Sequence, residues 1–211
     1  VNVALPDRLS RQLGFIVESE RLKSVLRRTS PIHATERREN SAEHSWTLAL
    51  MAMVLAEHAE GNPDSCKVLR MLLIHDLVEI DAGDTFCYDL DANVTKAERE
   101  ARAADVIFGM LPEEQSLEYR SLWEEFEAGI SAEAKFANAL DRLMPTLQNM
   151  HNEGGSWREH GVTSALALER SRPIGVGIPT LWAQVQTYLV EAEQQGWLTA
   201  TPADSSPFPP S

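Results

Sequence analysis

Cysteine is scarce. Cys66 and Cys87 are the two in the chain, and they form no CxxC pair. That argues against a disulfide framework or a zinc-finger module. Long apolar runs are also missing. The longest unbroken one, Leu48 to Ala56, has nine residues, whereas a membrane span needs about 20. Positive charge is in short supply, with 19 Lys and Arg against 32 Asp and Glu and a net charge of −13. Such a balance argues against binding a nucleic-acid polymer, which needs a basic footprint. It does not exclude a small anionic substrate. No basic stretch followed by an apolar segment opens the sequence, so no signal peptide is visible and the cytosol is the expected compartment. Hairpin signals and long alternating runs are absent, so strands are not expected.

What is present reads as helix after helix. The chain has 211 residues, 43% hydrophobic and 24% charged, the composition of an ordinary globular domain. Leu9, Leu13, Ile16, Leu22, Val25 and Leu26 recur at helical spacing over 8–27, with a break near Glu18. Asn40 stands three residues before Glu43, a capping box opening a helix over 41–60. That helix is apolar on most sides, so burial is expected, Trp46 included. Gly61 ends it and Pro63 opens a helix over 63–80, with Pro at its first position. Residues 82–92 read as a loop. Thr95 with Glu98 is a second capping box, opening 95–110. Further helices are expected over 112–128, 131–151, 163–171 (short) and 180–195. The expectation is an all-α fold of about seven to nine helices, one domain over 1–198, and a Pro-rich disordered tail over 199–211.

His75-Asp76 directly follows the apolar run Val68 to Ile74. Imidazole and carboxylate at the end of a buried helix need partners, and a divalent metal ion would satisfy both. His44, in the first turn of the apolar helix, and Asp141, among apolar neighbours in Phe136 to Met144, sit in matching settings. Together they make a two-His, two-carboxylate set. Such mixed ligation suits one divalent ion, Mn²⁺, Fe²⁺, Co²⁺, Ni²⁺, Zn²⁺ or Mg²⁺, and the sequence does not name which.

The pattern His44…His75-Asp76…Asp141 resembles the HD-domain superfamily of metal-dependent phosphohydrolases. Three segments carry the resemblance: Arg38-Glu39-Asn40-Ser41-Ala42-Glu43-His44-Ser45, then Ile74-His75-Asp76-Leu77-Val78-Glu79-Ile80-Asp81-Ala82-Gly83-Asp84, then Ala139-Leu140-Asp141-Arg142. They are most similar to the branch containing the 5′-deoxynucleotidases, over about residues 20–150. The resemblance implies an all-helical fold, a metal held by His44, His75, Asp76 and Asp141, and release of phosphate from a nucleoside 5′-monophosphate. It also matches Glu79 and Asp84 to acidic positions of that branch. The branch places a Trp upstream of its first His, beside the sugar; here Arg28-Thr29-Ser30-Pro31-Ile32-His33 contains none.

Chemistry agrees with that expectation. Glu79 lies four residues after His75 and three after Asp76, on the same helix face, where it would orient water or move its proton. Asp84 would position water or protonate the leaving oxygen. Phosphate also calls for cations. Arg21, Lys23, Arg27, Arg28, Arg37 and Arg38 face one acid, Glu36, over 21–38, and Arg37 and Arg38 are the expected substrate contacts. Two other readings stay open: an HD-type phosphodiesterase or triphosphate hydrolase, and a non-enzymatic metal and nucleotide sensor. The helix over 180–195 offers a partner face, and a homodimer is the assembly the resemblance suggests.

Overall fold

The computed structural model describes residues 6–84, 88 and 94–201. Among the described residues the architecture is all-α. The helices are α1 (Asp7–Ser19), α2 (Ser41–Leu55), α3 (Ser65–Ile74), α4 (Glu79–Ala82), α5 (Lys96–Gly109), α6 (Glu113–Ala128), α7 (Ala132–His151), α8 (Gly155–Glu159), α9 (Ser164–Gly177) and α10 (Trp182–Gln194). Short 3₁₀ turns, Glu20–Ser24, Ala56–His58 and Pro179–Leu181, extend or join them. No described helix is long and apolar enough to cross a membrane. The expected loop over 82–92 lies partly outside the described residues, and so does the tail beyond Thr201.

Local chemistry explains most boundaries. Asn40 accepts from the Glu43 backbone N–H at 2.9 Å while Glu43 accepts from the Asn40 N–H, completing the capping box of α2. Ser131 caps α7 through the Ala134 N–H. Gly129 ends α6 in the left-handed region, at φ 63°, where a side chain would be strained.

Four expectations need correction. Thr95 makes no side-chain cap, so α5 has no capping box. Asp64 caps α3 by accepting from the Cys66 and Lys67 N–H groups, which leaves Pro63 outside the helix. The segment 63–80 is not one helix: α3 stops at Ile74, and residues 75–78 tighten into a turn with Leu77 N–H bonding Ile74 O and Glu79 N–H bonding Asp76 O. The short helix over 163–171 runs on to Gly177, with Pro173 inside it. Thr163 caps it, and apolar burial of Ala167, Leu168 and Ile174 offsets the missing proline N–H.

α7 is the central element and packs against α9, α3, α6 and α2. Leu48, Met71, Leu72, Phe108, Phe136, Leu140, Ile174 and Leu189 form the middle of the core. α2 is only half enclosed. Leu48 is buried, but Trp46, Leu50, Met53 and Val54 are exposed, so neither the expected burial of this helix nor that of Trp46 holds. Among the described residues no helix covers that side of α2, whereas α3 and α7 both contact the helix.

The tightest helix contact is between α7 and α9. A Cβ on Gly177 would meet the Lys135 carbonyl oxygen at 2.3 Å and Ala139 Cβ at 2.7 Å. Both belong to the backbone or core of the helix that carries Asp141. Gly177→Ala is therefore expected to destabilise the fold by about 1–3 kcal/mol, the usual cost of overpacking, read as a lower midpoint in urea unfolding. An unchanged midpoint would show that the two helices slide apart without cost.

Candidate metal centre

Three elements bring four side chains to one point. The capped first turn of α2 supplies His44, the tightened turn after α3 supplies His75 and Asp76, and the middle of α7 supplies Asp141. His44 Nε2 lies 2.9 Å from Asp141 Oδ1. His75 Nε2 lies 3.9 Å from the same oxygen and 3.1 Å from Asp76 Oδ1. Donor atoms of His44, His75 and Asp141 all fall within 4.8 Å of one another. Asp76 joins through His75, and its second oxygen accepts from Arg27 Nη1 at 2.8 Å. All four are buried. Pro145 lacks the N–H that would bond the Asp141 carbonyl four residues earlier, so α7 carries Asp141 where that one helical bond is missing.

Hydrogen bonding identifies what these atoms can hold. His75 Nδ1 is 2.9 Å from the Leu72 carbonyl oxygen, which can only accept, so Nδ1 carries the proton and Nε2 offers a lone pair. That Nε2 is buried with no hydrogen-bond partner. Its neighbours are carboxylate oxygens, which also offer only lone pairs when ionised. A cation among them satisfies every one of these atoms at once. Two imidazole nitrogens and carboxylate oxygens are a fitting set for a divalent transition metal ion.

The charges around the centre are strongly shifted. Burial opposes the charge on Arg27, but Asp76, Asp141, Glu79 and Asp84 outweigh it and raise its pKa. Burial also works against ionised Asp141, yet Arg142, bonded at 2.6 Å, and His44 hold it well below the usual carboxylate range. Burial and Arg27 disfavour a proton on His44, while Asp141 and Glu39 more than compensate and raise its pKa. Glu79 moves the other way. Burial, then the Asp76 charge, push it well above the usual range, although Ser41 Oγ donates to it at 2.8 Å. Asp84 is likewise raised by burial and by Asp76, with Arg27 opposing.

A cavity of about 350 Å³ opens over these groups. His75, Asp76, Glu79, Asp84 and Asp141 line it, and Arg27, Arg28, Arg142 and Lys96 supply positive charge. Arg37 and Arg38 do not line it. Arg37 bonds Glu43 at 2.8 Å, and Arg38 bonds Glu159 at 2.6 Å, each on a neighbouring groove. Sequence reasoning placed Arg27 in the basic stretch but favoured the arginines nearest His44. An isolated antiparallel bridge, Leu26 with Asn40, folds Arg27 back beside the ligands, and no sequence period announces such a bridge. Glu39, buried at 3.2 Å from His44 Nδ1, was read only as part of a motif.

The raised Glu79 makes a signed prediction. A carboxyl whose folded pKa exceeds its unfolded pKa contributes stability that is complete below the unfolded value and is lost as pH rises through the folded value. Glu79→Gln has no such proton to lose and keeps an oxygen for Ser41. In chelator-treated protein its Tm should exceed that of wild type at about pH 8, with the gap closing toward about pH 5. A gap independent of pH would refute the buried-carboxyl account.

Comparisons with known proteins bear on the same residues. An HD domain model matches residues 19–182. The chain is 35% identical over 141 residues to 5′-deoxynucleotidase HDDC2 of Xenopus laevis, covering 67% of this chain and 69% of that protein. It is 37% identical over 136 residues to 5′-deoxynucleotidase HDDC2 of Homo sapiens, covering 64% of this chain and 65% of that protein. The matched region thus spans about two thirds of these curated relatives. A crystal structure of a predicted metal-dependent phosphohydrolase from Magnetospirillum magnetotacticum MS-1 superposes with a TM-score of 0.86 at 48% identity, covering 91% of this chain and 96% of that one. With the family model extending over most of the described fold and all four candidate ligands, the chain belongs to the HD domain family.

Proposed function

We propose that the chain is a metal-dependent phosphomonoesterase that releases phosphate from a nucleoside 5′-monophosphate. The observation that carries this reading is the convergence of His44, His75 and Asp141 beneath a cavity walled by arginines. The relatives named as 5′-deoxynucleotidases support the substrate class. At about 350 Å³ the cavity is at the small end of ligand pockets, about 300–1,000 Å³, a size suited to a mononucleotide.

His44, His75, Asp76 and Asp141 would hold one divalent ion, which when bound supplies a Lewis acid for phosphoryl oxygens and acidifies water. Arg27, fixed by Asp76, presents its remaining N–H groups to the phosphate, with Arg28 and Arg142 nearby on the same wall. Glu79 has a raised pKa, so it can take a proton from the attacking water near neutral pH. Asp84, raised for the same reason, can hold the proton that the leaving alkoxide oxygen needs. Arg37 and Arg38 lie on the outer grooves, where they would act on the approach of an anion rather than on the phosphate in place.

The reading includes a cytosolic homodimer. Cys66 is free and exposed, as suits a reducing compartment. α1 ties its polar side to the body through Arg8, Arg11 and Gln12. Leu9, Leu13, Ile16 and Val17 are left exposed, an apolar stripe of the kind that a symmetric dimer covers.

The decisive assay is phosphate release from ribo- and deoxyribonucleoside 5′-monophosphates with Mg²⁺, Mn²⁺, Co²⁺ or Zn²⁺. Turnover should require metal and vanish in Asp76→Ala. Arg27→Ala should lower kcat/KM on the order of 10²-fold, as for loss of one preorganised donor to an oxyanion. Inert monophosphates alongside cleavage of a diester or a triphosphate would overturn the reading.

A further inference from the structure

Glu39 has no position on a helix and no place in the steps above, yet it is as buried as the ligands, at 3% exposure. Its backbone is fully committed. The Arg27 N–H bonds the Glu39 carbonyl at 2.9 Å, and the Glu39 N–H bonds the Thr29 carbonyl at 3.0 Å. That pairing fixes the direction in which its side chain leaves the chain. Oε1 accepts from Gln148 Nε2 at 2.8 Å. Oε2 lies 3.2 Å from His44 Nδ1 and 3.8 Å from Arg27 Nε. Gln148 is itself 1% exposed. Its orientation is not free, because only the NH₂ end can serve a carboxylate.

A row of contacts therefore runs Gln148, Glu39, His44, Asp141. Each member restricts the next. In this structure His44 Nε2 hydrogen-bonds Asp141 Oδ1 at 2.9 Å; a ligating Nε2 would give up that proton, leaving Nδ1–H as the ring's one donor and ionised Glu39, which only accepts, as the acceptor beside it. His75 receives the same service from the Leu72 carbonyl. In a loaded site the two imidazoles would share one tautomer through different devices, one a neutral main-chain oxygen and one a charged side chain. His44 Nδ1 and Glu39 Oε2 stand 3.2 Å apart without forming a hydrogen bond here.

We infer that Glu39 is the positioning residue of the metal centre: it fixes the tautomer and angle of His44, and Gln148 fixes Glu39. The inference rests on the metal reading of the site. It adds a link that the ligand set alone does not contain. Gln148 stands two helical turns after Asp141 on α7, so one helix carries a ligand and also the brace behind another ligand from α2. Glu39 further contacts Arg27, so the same carboxylate steadies a ligand and the cation proposed to meet the phosphate.

The test is Co²⁺ binding to chelator-stripped full-length protein, followed by calorimetry and by the visible d–d spectrum. Folding is checked by circular dichroism, and Glu36→Ala on the surface serves as a control. Glu39→Ala should weaken Co²⁺ binding by about 10–100-fold, the range for losing an outer partner of a ligating histidine, and should change the spectrum. Glu39→Gln keeps an oxygen for His44 but sets its amide NH₂ against that of Gln148, and should also weaken binding. The swap Glu39→Gln with Gln148→Glu removes that conflict and should recover most of the affinity and the original band shape. This recovery also decides the matter should Glu39→Ala fail to fold. A folded Glu39→Ala with wild-type affinity and spectrum would overturn the inference, and so would a swap no better than Glu39→Gln. Wild-type protein that takes up no Co²⁺ would instead overturn the metal reading, and the positioning role with it.

Discussion

One buried guanidinium holds the centre together. Asp76, Asp141, Glu39 and Glu79 are all buried within a small volume, and their mutual repulsion in a poorly screened interior would otherwise drive them apart or protonate them. Arg27 contacts three of them, at 2.8 Å for Asp76, 3.7 Å for Asp141 and 3.8 Å for Glu39. With Arg142, bonded to Asp141 at 2.6 Å, two permanent cations face four acids. Burial first and the Asp76 charge second raise the pKa of Glu79, and the excess of acidic groups suits the divalent ion proposed for the site. One electrostatic compromise therefore sets both groups: against burial, Arg142 and His44 hold Asp141 well below the usual carboxylate range, and burial with the Asp76 charge holds Glu79 above it.

Helix geometry distributes these groups. The turn over 75–78 replaces i,i+4 bonding by i,i+3 bonding just where His75 and Asp76 sit. In a continuous helix adjacent residues point about 100° apart. His75 Nε2 and Asp76 Oδ1 nevertheless lie 3.1 Å apart, and the turn leads into α4 at Glu79. In α7, Pro145 removes the helical bond to the Asp141 carbonyl. Both departures from regular helix occur next to metal-facing residues, and the regular helices behind them supply the rigidity.

Much of this was legible in the chain. Caps and apolar spacing locate α2, α6 and α7, because Asn40, Gly129 and Ser131 act on their own neighbours within a few residues. The words around His44, His75-Asp76 and Asp141 draw attention because ionisable groups sit in apolar runs, and the structure brings His44, His75 and Asp141 within reach of one ion. What escaped depends on distant pairing. Arg27 arrives through a bridge with the segment at Asn40, whereas Arg37 and Arg38, nearer in sequence, are captured by Glu43 and Glu159. Trp46 looked like core on composition, but among the described residues no helix covers its side of α2. The short helix expected over 163–171 left out residues 172–177, and the packing of Gly177 on Lys135 and Ala139 shows what the longer helix gains there.

The bridge between Leu26 and Asn40 has a meaning for how such a protein can change over generations. With Arg27, Thr29 and Glu39 stitched together by main-chain bonds, the stretch Ser30 to Arg38 is a loop with clamped ends. Main-chain bonds are indifferent to side-chain identity, and lengthening a closed loop adds little entropic cost. This rim can therefore be rewritten, residue by residue or by insertion, without disturbing the arginine and glutamate at its base. What the loop shows to an approaching anion becomes separable, as a heritable trait, from the buried groups beneath it.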